Sequence, residues 1–152
     1  MLVTFGDEST LKTMAMRSTD GGATFGAPTA IHDHGPMSAA RFSGDRGAII
    51  VDDGASGALL TTTDLGGTWG LSSLVAGAGL VVPSPTRFHA WHQSTVEGSK
   101  NAVSLADSTD GASWPTDAQH QVQVIAGNGS AVQFADVVVQ GDARYVAFFD
   151  GS

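Results

Sequence analysis

Three aspartates recur along the chain at intervals of 44 and 46 residues: Asp20, Asp64 and Asp110. Carboxylates could serve as general acids or bases, or as ligands for a calcium ion. Each of these, however, follows a serine or threonine by two residues and precedes a glycine and an aromatic residue. In that setting the carboxylate accepts hydrogen bonds from turn N–H groups, the hydroxyl adds a local bond, and the glycine takes a positive φ. The pattern therefore predicts three structural turns rather than three catalytic carboxylates.

Histidines and arginines are the other groups that could do chemistry. In an extended segment His32 and His34 point to the same side, where they could form a metal-binding pair. The spacing identifies no third ligand, so we expect no metal and no cofactor. Arg46, Arg87 and Arg144 could together bind a carboxylate, but each begins a similar strand-like run. A residue that recurs once per repeat is more simply explained by a structural role.

The composition limits the class of protein. The chain has 152 residues, 41% of them apolar, with 20 glycines, no cysteine and a net charge of −8. It is long enough for one domain with a core, residues 1–152, and it contains no disulfide or cysteine zinc site. The sequence has no cluster of basic residues, so we do not expect nucleic acid as a partner. No window approaches the ~18 apolar residues of a membrane span, and the N-terminus has no signal-peptide pattern.

Short alternating runs surround each predicted turn and indicate strands. Before the turns the sequence reads "LKTMAMRS", "GALLTTT" and "NAVSLADS", and after them "TFGAPTAI", "TWGLSSLV" and "SWPTDAQHQVQVI". Further upstream lie "LVTF", "AIIV", "RFHAW" and, once more, "YVAFF", with "MSAARF", "AGLVV" and "ADVVV" between the units. A strand-rich unit repeated at this period is typical of one propeller blade, and such units bury their faces by stacking on their neighbours.

The repeated turn resembles the Asp-box, the bacterial neuraminidase repeat of sialidase-like β-propellers, with boxes near 18–25, 62–69 and 108–114. The matching residues are Ser18, Asp20, Gly22 and Phe25 in the first box, Thr62, Asp64, Gly66 and Trp69 in the second, and Ser108, Asp110, Gly111 and Trp114 in the third, which is one residue shorter. The resemblance implies that each box is structural, joins the third and fourth strands of a blade, and lies on the face away from the ligand. Its aromatic residue is expected to anchor the turn between sheets.

The strands do not make a whole number of blades. With strands A to D from inner to outer, the chain reads B, C, D, then two sets of A to D, then A and B, which is an all-β fold of about three four-stranded antiparallel blades. Closed propellers have about 4–8 blades. Two interpretations follow. Either the chain is a portion of a longer propeller, or a second copy completes the ring by self-association.

The resemblance also implies where a ligand would bind. In these propellers the ligand face carries the B–C loops and the D–A connections. In this sequence those segments contain the candidate ligand-binding residues His32, Asp33, His34, Asp52, Asp53, His92 and Glu97. Together they predict an acidic, hydrogen-bonding surface for a polar ligand such as a glycan.

Catalysis is not indicated by the residues themselves. A catalytic sialidase would carry an arginine triad, a Tyr–Glu nucleophile pair and an Asp acid/base. Tyr145 is the only tyrosine, and Glu8 and Glu97 are the only glutamates, so the carboxylate pair of a glycosidase cannot be assigned. We expect a non-catalytic or incomplete propeller module that binds a glycan-like ligand. The alternatives are a portion of an exo-sialidase or related glycoside hydrolase, and a structural self-assembling repeat. The resemblance favours an extracellular or cell-surface location.

Overall fold

The computed structural model describes residues 1–33, 35, 37–52, 57–73, 78–96, 100–114, 132–140 and 143–150. In these ranges the chain forms β-strands and turns and no helix, which confirms the all-β prediction. The strands are β1 (Leu2–Asp7), β2 (Lys12–Arg17), β3 (Thr29–His32), β4 (Met37–Ser43), β5 (Arg46–Val51), β6 (Ala58–Thr62), β7 (Gly70–Ser73), β8 (Ala78–Pro83), β9 (Phe88–Val96), β10 (Lys100–Ser108), β11 (Val132–Gln140) and β12 (Ala143–Asp150).

The strands pair with their neighbours in sequence into four antiparallel sheets, none of which closes on itself. The first sheet is β1-β2-β3, the second β4-β5-β6-β7, the third β8-β9-β10 and the fourth the hairpin β11-β12. This strand order follows the alternating runs of the sequence. The run "SWPTDAQHQVQVI", in which a further strand of the third sheet was predicted, falls almost entirely outside the described residues.

Two apolar clusters hold the first three sheets together. The second sheet contributes to both, because successive residues of a strand point to opposite faces. On one face Ile49 and Leu60 pack toward the first sheet, with Ile31 and Trp69 at the edge of the cluster. On the other face lies the second cluster, which consists of Ala39, Ala48, Ile50, Leu59, Val81, Phe88, Ala90, Ala106 and Trp114. The second sheet is therefore buried on both faces.

The first three sheets are stacked face to face, and their turns lie at the two opposite ends of the strands. The three boxes and the β4–β5 and β8–β9 turns lie at one end, which we call the box end. Across it, the Arg46 Nη1 donates to the Thr109 carbonyl at 3.1 Å, and the Leu65 N–H donates to the Asp45 carbonyl at 2.8 Å. Antiparallel pairing places the β1–β2, β3–β4, β5–β6 and β9–β10 connections at the opposite end, which we call the loop end.

The first sheet covers its neighbour with only one face. Leu2 approaches the box turn at Gly66, and the Thr4 hydroxyl lies 3.6 Å from the Met37 sulfur in the second sheet. By strand alternation the opposite face carries Val3, Phe5, Met14 and Met16, which are partly or fully exposed. We call this the outer face of the first sheet.

Candidate functional site

The second box shows how the repeated residues build a turn. The Thr62 hydroxyl donates to Asp64 Oδ1 at 2.8 Å and accepts the Gly66 N–H at 2.9 Å. Asp64 Oδ1 also accepts the Thr68 N–H at 2.9 Å, while Oδ2 accepts the Thr68 hydroxyl at 2.8 Å. Both carboxylate oxygens are thus occupied by the turn itself. The chain passes through positive φ at Leu65 (55°) as well as at Gly66 (75°), and the sequence prediction had given that conformation to the glycine alone.

The first box repeats this geometry residue for residue. The Ser18 hydroxyl donates to Asp20 Oδ1 at 2.7 Å and accepts the Gly22 N–H at 2.7 Å. Asp20 then accepts from the Thr24 N–H at 3.0 Å and from the Thr24 hydroxyl. The aromatic residue differs, because Phe25 is 38% exposed whereas Trp69 packs against the second sheet. Within the described residues no sheet lies beside Phe25 on its outer side.

The third box is one residue shorter and uses a different set of donors. Asp110 Oδ1 accepts the Ser108 hydroxyl at 2.9 Å and the N–H groups of Ala112 and Ser113 at 2.8 and 2.9 Å. The Trp114 indole Nε1 donates to the Gly111 carbonyl at 3.2 Å. The aspartate role is preserved although the turn has lost a residue.

Two box glycines lie against side chains of the preceding sheet as well as adopting a positive φ. A Cβ at Gly66 would lie 2.8 Å from the Leu2 side chain, and a Cβ at Gly111 would lie 2.6 Å from the Thr61 hydroxyl. Both distances are shorter than a Cβ tolerates, so each turn rests directly on a strand outside its own hairpin. The requirement for glycine therefore comes partly from contacts between repeats.

Hydrogen bonding lowers the pKa of all three box aspartates. The Thr68 N–H, followed by the hydroxyls of Thr62 and Thr68, lowers the pKa of Asp64 from 3.8 to about 2. The Thr24 hydroxyl and N–H lower the pKa of Asp20 well below its usual range, and the N–H groups of Ser113 and Ala112 do the same for Asp110. Carboxylates held ionised in this way cannot donate a proton as general acids near neutral pH.

Stability is therefore expected to fall in acid through these turns. A carboxylate whose pKa is depressed by folding stabilises the native state above its unfolded pKa, and that contribution is lost as the pH falls through the folded value. For Asp64 the window runs from about pH 4 down to about pH 2. Asp64→Ala should lower the free energy of unfolding by about 1–2 kcal/mol at pH 6 and by much less at pH 2. Urea unfolding at both pH values measures this, with Asp45→Ala in the exposed β4–β5 turn as control. An Asp64→Ala deficit that is the same at both pH values would contradict the prediction.

The loop end brings together part of the predicted ligand-binding set. The Asp33 Oδ1 lies 2.9 Å from Lys12 Nζ, and both side chains are solvent-accessible. His32 and Asp33 line one recess, with Ala30, Ile31 and Leu71, of about 360 Å³. The His32 Nε2 is buried and has no hydrogen-bond partner among the described residues. Asp7 and Lys12 border a smaller recess of about 100 Å³ nearby.

The remaining predicted ligand-binding residues are placed only in part. Asp52 is exposed directly after β5, at the loop end. His92 lies in β9, and its side chain is outside the described set. His34, Asp53 and Glu97 lie outside the described residues. The ranges that are described contain no group of three or more His, Asp or Glu placed to hold a metal ion. They also contain no helix that could cross a bilayer.

Two of the recurring arginines connect strands at the box end. Arg46 donates through Nε to the Pro85 carbonyl and through Nη1 to the Thr109 carbonyl, both at 3.1 Å, and its guanidinium lies 5.4 Å from the centre of the Phe88 ring. The Arg87 Nη1 lies 3.7 Å from Asp107 Oδ2. Arg46 therefore links the second sheet to the third, Arg87 pairs within the third sheet, and the two side chains do not converge on the loop end.

A buried polar chain in the third sheet was missed by sequence reasoning. His89 Nδ1 lies 2.7 Å from Asp107 Oδ1, and His89 Nε2 lies 3.2 Å from Ser84 Oγ. This connectivity matches a Ser–His–Asp catalytic triad. Ser84, however, is only 6% exposed and its hydroxyl also accepts the Arg87 N–H at 3.2 Å, so it closes the β8–β9 turn. The pair depends on the register of β9 against β10, in which His89 and Asp107 are direct partners, and the sequence pattern does not specify that register.

No protein-family model, curated protein or solved structure matches this chain. The residues and their geometry are therefore the basis for assigning a function.

Proposed function

We propose that the chain is a portion of an Asp-box, sialidase-like β-propeller that binds a polar ligand of the glycan class without cleaving it. The four antiparallel sheets would be consecutive blades. In support, the second sheet packs by its two faces on the first and third, and the first strands of successive sheets, β4 and β8, and β8 and β11, lie in contact. The outer face of the first sheet is where remaining blades, or a second copy, would continue the ring.

One observation carries the ligand-binding proposal: the two ends of the stack use their polar groups differently. At the box end the carboxylates of Asp20, Asp64 and Asp110 are occupied by turn hydrogen bonds. At the loop end the accessible Lys12 and Asp33 lie beside the recesses. An exposed surface ion pair contributes little to stability, so a hydroxyl-rich ligand can engage these side chains at little cost to the fold.

Two observations weigh against the exo-sialidase alternative. The box aspartates are held ionised in structural turns, which removes them as proton donors. Arg46 and Arg87 are engaged at the box end with backbone carbonyls and with Asp107. Neither arginine is placed to clamp a substrate carboxylate at the loop end.

A glycan array probed with the purified chain tests the proposal. Binding should be selective and should weaken at least severalfold in Asp33→Asn, which removes a loop-end charge. Asp45→Asn removes the same charge at the box end and should bind like the unmodified chain. A fluorogenic sialoside assay on the same samples should show no turnover. Turnover would favour the enzyme alternative, and a blank array would leave only the structural role.

A further inference from the structure

A third recess lies between the first and second sheets at the box end, away from the proposed glycan surface. It measures about 200 Å³. Its apolar wall is formed by Leu2, Ala15, Ile31 and the Trp69 ring, and Arg17 lies at its rim beside the second box. At ~30 Å³ per water molecule, this volume corresponds to about six or seven waters. The recess is therefore large enough for a small organic molecule.

Two of the residues that line this recess carry hydrogen-bond donors with no acceptor among the described residues. The Arg17 guanidinium makes no ion pair or hydrogen bond with any described residue, although its Nη1 lies close to Gly67 in the second box. The Trp69 Nε1 is buried and has no partner in the same ranges. Leaving a buried N–H unpaired is costly, so an acceptor is expected at this position.

At the next junction in the stack the same kinds of group are hydrogen-bonded within the protein. Between the second and third sheets, Arg46 reaches over the third box and donates to two backbone carbonyls. The Trp114 Nε1 donates to the Gly111 carbonyl inside its own box. Each junction thus contains an arginine from the preceding sheet and a box tryptophan, and among the described residues both donors lack an acceptor only at the first junction.

Arg17 forms no ion pair with a carboxylate of the described residues. The Asp64 Oδ2 lies 3.0 Å from the position that a Cβ at Gly67 would take, and it accepts the Thr68 hydroxyl at 2.8 Å. Arg17 and Asp64 do not form an ion pair. A Cβ at Gly67 would come within 3.1 Å of Arg17 Nη1, so the absence of a side chain at this position leaves room for the guanidinium.

We propose that this recess binds an organic carboxylate. One carboxylate oxygen accepts from the Arg17 guanidinium and the other from the Trp69 Nε1, while the carbon body packs on Leu2, Ala15 and Ile31. Arginine suits this role because its planar, permanently charged fork matches a carboxylate. The indole nitrogen is covered in the free protein, so the Trp69 ring turns slightly toward the recess when the ligand binds. The site extends beyond the proposed glycan surface and does not depend on it.

Nuclear magnetic resonance of the three tryptophan indole N–H groups tests the site on the full chain. The Trp69 signal is identified by its loss in Trp69→Phe. N-acetyl-leucine supplies a carboxylate on an apolar body, and glucuronate supplies one on a sugar ring, so the two arms separate the ligand sources. N-acetyl-leucinamide is the matched probe without charge. We expect one of the two acids to shift the Trp69 signal saturably, to leave the Trp114 signal in place, and to bind at least tenfold more tightly than the amide.

Arg17→Gln provides the second arm, because it keeps a polar side chain with N–H donors and removes the charge. It should weaken carboxylate binding about tenfold or more, the effect of losing a charge-assisted hydrogen bond. Arg41→Gln, at an exposed arginine of β4, should leave binding unchanged. The proposal fails if neither acid shifts the Trp69 signal, if the amide binds equally well, or if sodium sulfate alone gives the same shift. The amide comparison uses the unmodified chain, so it remains decisive even if Arg17→Gln does not fold.

Discussion

Replacing Phe88 with alanine is expected to lower the free energy of unfolding by about 3–5 kcal/mol, the range for removing a fully buried phenylalanine. The Phe88 side chain has no exposed surface and packs with Ile50 and Leu59 of the second sheet. Its ring also lies under the Arg46 guanidinium, whose centre is 5.4 Å from the ring centroid. The substitution therefore creates a cavity at the junction and removes a cation–π contact. Urea unfolding followed by intrinsic fluorescence measures the loss.

Phe25→Ala is the matched control for this prediction. The residue is the same, but its side chain is 38% exposed and belongs to the box that has no described sheet on its outer side. The expected loss is about 1 kcal/mol, because less apolar surface returns to water. Equal losses for the two variants would mean that the second and third sheets do not share the core described above.

Removing the buried imidazole is expected to have the second large effect. His89→Leu keeps a similar volume but leaves the Asp107 carboxylate, whose side chain is 10% exposed, without its 2.7 Å partner. Ser84 also loses a contact, and Arg87 at 3.7 Å remains as a weaker compensation. We expect a loss of about 2–4 kcal/mol, since a buried carboxylate that loses its shortest hydrogen bond is no longer fully compensated for its desolvation. Thermal unfolding at neutral pH, with calorimetric enthalpy, gives the value.

A double-mutant cycle separates pairing from packing in this network. In the His89→Leu, Asp107→Leu protein both polar partners are gone, so part of the stability lost in His89→Leu should return. If the two single losses simply add, His89 and Asp107 do not interact energetically, and the short distance between them contributes nothing to stability.

The strands and turns were predictable because their signals are local. Alternation along "LKTMAMRS" and "GALLTTT" corresponds to β2 and β6, and the residue types of the boxes already imply the hydrogen bonds that the turns contain. The positive φ of Leu65 was not anticipated, because a leucine has no intrinsic preference for that conformation. In this turn it is imposed by the surrounding hydrogen bonds to Thr62 and Asp64.

Relations between strands and between sheets were beyond the sequence signals. The pairing of His89 with Asp107 depends on the register of β9 against β10, and a shift of one residue would separate them. The ion pair of Lys12 with Asp33 joins a strand to a connection 21 residues away, and nothing in the local pattern specifies it. The recess beside Arg17 and Trp69 exists only because two sheets meet there at a particular spacing.

The contacts of Gly66 with Leu2 and of Gly111 with Thr61 have a consequence for how such repeats can be recombined. Each turn is fitted to a side chain that belongs to a strand of the preceding sheet. A fragment cut at sheet boundaries would carry a turn without the surface that shaped it. The unit that can be exchanged between such repeats therefore does not coincide with one sheet. It must include the supporting strand of one repeat together with the box turn of the next.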